Sequence, residues 1–212
     1  TAHPGETILK AAQRHGVEIP HLCYTDGLRP DGNCRACVVE IAGERTLAPS
    51  CCRAPTAGMK VQAASPRARK SQQMVVEMLL SDMPDVGYRW NDGDIKTPEL
   101  IAACAYPSSA RAQFDSKNTE AVGQHGELSQ WADRLGVSVR PALQALRREQ
   151  PAPDLSHPAM AVNLDACIQC NRCVRACREE QVNDVIGYAL RGAESKIVFD
   201  LDDPMAESIC VA

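Results

Sequence analysis

Eleven cysteines stand among the 212 residues, ten of them in two dense groups at 23–52 and 167–210 with Cys104 alone between. The first group reads Cys23-x10-Cys34-x2-Cys37-x13-Cys51, followed at once by Cys52. Three thiolates on one irregular loop and a fourth from a later turn suit two bridged irons, and the spacing is a widened form of the plant-type [2Fe–2S] pattern. Spacing alone does not choose between Cys51 and Cys52; we favour Cys51. Gly27, Gly32 and Asn33 are the turn formers that would let backbone N–H groups face the sulfurs and offset their charge.

The second group, Cys167-x2-Cys170-x2-Cys173-x3-Cys177, has the spacing of a bacterial ferredoxin run, with Arg178 where proline usually follows. Cys167, Cys170 and Cys173 are expected to hold a first [4Fe–4S] cluster. The fourth cysteine of such a run serves a second cluster, so Cys177 is expected to partner Cys210 there. The remaining ligands of both clusters would lie beyond residue 212. A four-cysteine zinc site is the bland alternative for the first group, although its ten-residue gap is long for zinc. Disulfides are disfavoured by the C-x2-C spacings and by the lack of a signal peptide, which point to a reducing cytoplasm.

Several elements must position these thiols. Residues 4–16, PGETILKAAQRHG, read as a short helix with Glu6 or Thr7 near its start, Ile8, Leu9, Ala11 and Ala12 along one stripe, and Gly16 as its stop. Cys37–Ile41 alternates as a strand, Ala42–Arg45 turns into a second, and Gly58–Gln62 makes a third. Ser65-Pro66 opens a helix carrying Met74, Val75, Met78 and Leu79 on one face and ending before Pro84. Further helices are expected at Thr97–Cys104, Ser129–Leu135 and Pro141–Gln150, and PAPDLSHP at 151–158 reads as a linker. A short helix from Val174 to about Val182 and a hairpin over Ile186–Asp200 follow.

Composition narrows the class. Aromatics make up 4% against 44% hydrophobic residues, so the cores must be small and aliphatic, with metal supplying part of the stability. A net charge of −4 gives no basic footprint for nucleic acid, and no apolar run approaches a membrane span. The chain therefore reads as soluble. Thr1 is not an initiator methionine and the sequence stops inside an apparent cysteine motif, so it reads as a fragment. No G-x-G-x-x-G, P-loop or Ser-His-Asp pattern occurs, and no catalytic residue is expected within it. His3, His15 and His21 lack a partner acid or nucleophile at suggestive spacing; His21 is expected to pack beside the first cysteine loop. Arg67-Ala68-Arg69-Lys70 reads as solvated helix surface that could dock an acidic partner.

The runs PGETILKAA, IPHLCY, GNCRACVVEI, LAPSC and GMKV resemble the β-grasp [2Fe–2S] domain of NAD-linked molybdenum formate dehydrogenase large subunits. The same domain opens the large iron–sulfur subunit of NADH:quinone oxidoreductase and several iron-only hydrogenases. In that family LAPSC aligns the fourth ligand with Cys51, and one or two strands, missing here, precede the PGET helix. MAVNLDACIQCNRCVRACREEQVNDVIGYALRG, with KIVFDLDDPM and ESICVA, is similar to the double ferredoxin module of the same subunits. The middle departs from the pattern. Met83 stands where relatives carry a histidine ligand, and Gly87, Trp90 and Lys96 where they carry three cysteines, so a histidine-ligated cluster is expected to be absent there. Cys104, His125 and His157 remain as stray candidate ligands.

The resemblance implies an α+β chain in three parts. A β-grasp [2Fe–2S] domain over 1–65 would lead through a helical connecting region over 66–157 into a truncated ferredoxin-type double [4Fe–4S] module over 158–212. It further implies an electron relay of a cytoplasmic formate dehydrogenase, with a molybdenum or tungsten bis-pterin site downstream and a flavin- and NAD-binding partner subunit. Relays of a hydrogenase or a quinone oxidoreductase, or a stand-alone ferredoxin-like carrier, would share both cysteine groups.

Overall fold

A computed structural model describes residues 2–83, 127–149, 151–152, 154, 156–157, 162, 164 and 166–210. Helix α1 (Ile8–Arg14) starts where Thr7 accepts a hydrogen bond from the Lys10 N–H at 3.3 Å. Of the two capping candidates, Thr7 is the cap. Glu6 instead accepts from His3 N and pairs with Arg14 at 2.9 Å. The Arg14 and His3 hydrogen bonds hold its carboxyl well below the usual range, at about 2. Gly16, with φ of 72°, and the Val17 N–H bond to Ala12 O close the helix in the left-handed turn that glycine permits.

Strand β1 (Val38–Ile41) is the centre of a three-stranded antiparallel sheet, with β2 (Ala48–Pro49) on one edge and β3 (Val61–Gln62) on the other. Val39 faces Ala48 and Ile41 faces Val61. Helix α1 lays Ile8 and Leu9 against this sheet, forming a small core with Ile19, Tyr24, Val39 and Ile41 that also takes in Cys37 and Cys51. The first two free N–H groups of α1 donate to Arg53 O and Ser50 O. The helix start thereby ties down the turn that carries Cys51.

Helix α2 (Pro66–Ser81) is capped by Ser65, whose hydroxyl accepts from Ala68 N at 3.2 Å, with Pro66 at the first position. Its buried stripe is only partly the expected one, with Val75 and Leu79 packed half-buried against a core. Met74 and Met78 are 46% and 55% exposed, whereas Ala68, Gln72, Val76 and Glu77 are buried. Gln72 sets that rotation, because its amide donates to Val38 O on β1 and to Ala63 O. Helix α3 (Glu127–Leu135) packs on α2, and α4 (Pro141–Gln144) follows as one turn rather than the helix expected to reach residue 150. None of its residues is buried, and Leu146 beyond it is exposed, so no covered apolar face extends it.

A second core joins distant segments: Leu22 and Ala36 from the first cysteine loop, Val76 from α2, Leu128, Ala132 and Leu135 from α3, and Ala166 before the second cysteine run. Met83 is buried in the same core. The expected helix at Thr97–Cys104 lies outside the described residues, as do Gly87, Trp90, Lys96, Cys104 and His125.

Beyond residue 166, helix α5 (Arg172–Arg175) passes into a π turn over Ala176–Glu180 in place of the expected continuous helix, marked by Gln181 N donating to Ala176 O. Strands β4 (Ile186–Ala189) and β5 (Lys196–Phe199) form the expected hairpin. A third core gathers Val174, Cys177, Val185, Ile186, Ile197, Phe199 and Met205. Asp154, within the expected linker, bridges to Val162 and accepts the Met205 N–H, so this stretch is fastened to the last module. Among the described residues no helix is long and apolar enough to cross a membrane.

Candidate metal centre

The first cysteine loop and the α1-anchored turn bring four thiols together. Cys23, Cys37 and Cys51 are almost wholly buried, at 1%, 1% and 0% exposure, and Cys34 is half-buried. Cys37 and Cys51 sulfurs lie 3.3 Å apart, while Cys23 contacts both Cys34 and Cys51. Cys52 is an exposed residue, with its sulfur 3.5 Å from that of Cys51. Between the two candidates that spacing left open, the structure therefore groups Cys51 with the other three thiols.

Local geometry explains the grouping. Gly32 has φ of 64°, and a Cβ there would come 3.0 Å from the Cys52 sulfur. Arg35 also takes a positive φ of 60°, which turns the Cys34–Cys37 segment back on itself. Ser50 Oγ and N both donate to Cys37 O, pinning the third thiol to the turn of the fourth.

The electrostatics alternate around the group. The Cys34 and Cys51 thiols, with the N–H groups of Cys34 and Asn33, outweigh burial and hold the Cys23 thiol down to about 2. Cys51, aided by backbone and Ser50 contacts, lowers Cys37 to about 6. Cys34 and Cys51 move upward, Cys34 through Cys23 and burial, Cys51 through Cys23, Cys37 and burial. Neighbouring sulfurs with a backbone N–H aimed at one of them form a donor set suited to a metal that takes several soft anionic ligands. Among the described residues no three His, Cys, Asp or Glu side chains converge as they would around a single ion. The contacts instead run along the series Cys34, Cys23, Cys51, Cys37.

The second run wraps a different loop. Gln169 and Asn171, with φ of 54° and 68°, flank Cys170 in the left-handed region, and Gln169 N points at the Cys167 sulfur at 3.4 Å. Cys167 and Cys170 are half-buried, Cys173 is exposed, and Cys177 is buried in the π turn. Cys177 lies in the third core, where Cys167 and Cys210 also pack. Tyr188 on β4 stands beside this run. Burial, then the charges of Cys167, Cys173 and Cys170, push its phenol up to about 12.

Residue spacing pointed to none of the side chains that join the two groups. Arg172 donates to Tyr24 O at 2.8 Å and Arg175 to Cys23 O at 2.5 Å. Gln169 O accepts from both Asn33 Nδ2 and the Tyr188 hydroxyl. Arg148, within the second module's surroundings, donates to Cys167 O and Ser195 O and does not touch the first group in any described contact. Their acceptors are backbone carbonyls, which every residue type carries, so no spacing could mark them. His21 packs between Tyr24 and Trp131, as expected of a residue beside the first loop. Half-buried His157 lies in the stretch between α4 and the second run.

Residues 1–66 match the model of a 2Fe-2S iron-sulfur cluster binding domain. An NADH-quinone oxidoreductase chain of Rhizobium meliloti is 29% identical over 91% of this chain and 19% of its own length. The HndD subunit of an NADP-reducing hydrogenase from Solidesulfovibrio fructosivorans is 29% identical over 97% of this chain and 31% of its own. YrhE of Bacillus subtilis, provisionally named a formate dehydrogenase, is 24% identical over 98% of this chain and 18% of its own. The chain thus spans less than a third of the length of these curated relatives. A solved NAD+-reducing [NiFe]-hydrogenase in the H2-reduced state has the same fold, with a TM-score of 0.69 covering 100% of this chain and 76% of that one at 22% identity.

Proposed function

We propose that this chain is an electron relay in which Cys23, Cys34, Cys37 and Cys51 hold a [2Fe–2S] cluster, and Cys167, Cys170, Cys173, Cys177 and Cys210 contribute to two [4Fe–4S] clusters. The observation that carries the reading is the run of four grouped thiols, three of them almost wholly buried, inside a domain matched as 2Fe-2S binding. The match of residues 1–66 to a 2Fe-2S domain favours two bridged irons over a single zinc. Cys23, Cys34, Cys37 and Cys51 would together hold the two irons, each thiol touching at least one of the others.

Bound clusters of these kinds accept and release single electrons. The chain's own work is to hold and insulate. Buried Leu9, Val39 and Ile41 exclude water from the first group, and backbone N–H groups meet the sulfurs. The αL residues Gln169 and Asn171 shape the second loop. Cys177 and Cys210 pack on the third core together with Cys167, and we assign them to a second cluster on the ferredoxin-type spacing of the run.

At a finer level we read the relay as part of a cytoplasmic formate dehydrogenase large subunit, feeding electrons from a downstream molybdenum or tungsten pterin site to a flavin- and NAD-binding subunit. The YrhE likeness over 98% of the chain supports this. A hydrogenase relay is the second reading, favoured by HndD and by the hydrogenase fold.

Low-temperature EPR with iron and sulfide quantitation on the anaerobic full-length protein tests the relay. Cys51→Ser is expected to abolish the [2Fe–2S] signal and Cys52→Ser to retain it; the reverse pattern refutes the ligand set. Formate-driven reduction of the clusters supports the finer reading, and reduction by hydrogen but not formate replaces it with the second.

A further inference from the structure

We propose that Arg175 is the fixed cation of the first thiol group, positioning the Cys23 loop and raising the potential at which that group's cluster accepts an electron. The inference rests on the reading of Cys23, Cys34, Cys37 and Cys51 as [2Fe–2S] ligands.

Arg175 lies between Cys173 and Cys177 in sequence, yet its side chain reaches the other cysteine group. It is 4% exposed. One Nη donates to Cys23 O at 2.5 Å and the other to Arg29 O. Both acceptors are neutral carbonyls, and Nε has no hydrogen-bond partner among the described residues. The carboxylate paired with it, Asp31, stands 4.0 Å from Nε with its own side chain 31% exposed.

A guanidinium stays charged at any working pH. Burying one without a close counter-charge is costly, and such groups persist where another negative charge balances them. Two neutral carbonyls and one distant, half-hydrated carboxylate leave most of that charge unbalanced. Four thiolates around a [2Fe–2S] core supply the missing negative charge, and the guanidinium is bonded to the carbonyl of one of the ligand residues itself. Uptake of one electron there makes and breaks no bond and moves no proton. It adds one negative charge beside a fixed positive one in a low-dielectric setting, so the reduced state gains more than the oxidised state.

Arg172 supplies the comparison. It makes an analogous bond to the neighbouring Tyr24 carbonyl, but pairs with Glu127 at 2.7 Å and is 25% exposed. Its charge is already matched and partly solvated.

The test is an EPR-monitored redox titration of the whole cluster-loaded protein, with dithionite as electron donor and iron and sulfide quantified in each variant. Arg175→Gln is expected to keep the [2Fe–2S] signal and shift its midpoint to more negative potential, Arg175→Lys to stay near the wild type, and Arg172→Gln to shift it far less. An unchanged midpoint in Arg175→Gln, a shift no larger than in Arg172→Gln, or an equal shift in Arg175→Lys overturns the proposal. If Arg175→Gln loses the cluster, Arg175→Lys decides: a wild-type midpoint upholds the role of charge, while a negative shift or a second loss of cluster leaves Arg175 a structural part only. A wild-type protein without any [2Fe–2S] signal refutes the ligand reading instead.

Discussion

Gln72 is uncharged and touches no thiol, yet at 1% exposure it holds α2 to the sheet by donating to Val38 O and Ala63 O at 2.9 and 3.0 Å. Replacing it with leucine keeps the volume and strips both carbonyls of their donor. Gln72→Leu is expected to destabilise the protein by about 1 to 3 kcal/mol, read as a lower urea midpoint at unchanged slope; a neutral result would mean that the carbonyls find other partners. Nothing in the sequence marked this glutamine, because glutamine on a helix ordinarily faces water and its burial depends on where another segment's carbonyls fall. Gly32 was legible as a turn former, and the positive φ there bears that out. The preference for Cys51 over Cys52 came from resemblance. Its structural cause is the turn at Ser50, whose carbonyl is fixed by the start of α1.

Helix α2 is clamped on its other side by α3 and α4. Gln73 donates to Leu135 O, and Glu77 pairs with Arg140 at 2.7 Å while also accepting the Arg140 N–H. The Arg140 guanidinium first, and its backbone N–H next, hold the Glu77 carboxyl below its ordinary value against the pull of burial. A carboxyl depressed in the folded state adds stability that is present above its unfolded value of 4.5 and is lost as pH falls through the folded value. Thermal midpoints of Glu77→Gln should therefore converge on those of the wild type as pH drops through the carboxylate range; a constant gap would rule this ion pair out as the cause. At this scale the capped starts were readable, since Thr7 and Ser65-Pro66 carry their own signals. The stops were harder. The break of α5 into a π turn has no residue-type marker, and Val182 and Asp184 at φ of 54° and 55° take conformations usually reserved for glycine or asparagine. The stripe on α2 was misjudged at Met74 and Met78, while Val75 and Leu79 do pack, because methionines at helical spacing look apolar whether or not anything covers them.

At the scale of the whole molecule, the described residues form three small cores rather than one large one, as the scarcity of aromatics foretold. The middle core draws on the first cysteine loop, two helices and the approach to the second run, so loading either cysteine group is expected to stabilise both ends. A cluster held about a hundredfold above its dissociation constant adds roughly 2.7 kcal/mol, a midpoint shift of roughly 5 to 10 °C for a chain of this size. Anaerobic removal of iron by a chelator should lower the calorimetric midpoint by at least that much in a single broadened transition; an unchanged midpoint would mean that the cores carry the fold alone. The docking of the two cysteine groups was the part least visible in the residues, since it depends on Arg172, Arg175 and Asn33 meeting backbone carbonyls. One of those bonds spans 152 residues, from Arg175 back to Cys23. On the ribosome, the carbonyl of Cys23 emerges long before its guanidinium partner has been made. That bond cannot form in the interval, so the fastening of the first loop to the second module is timed by translation, and only the finished second module can supply it.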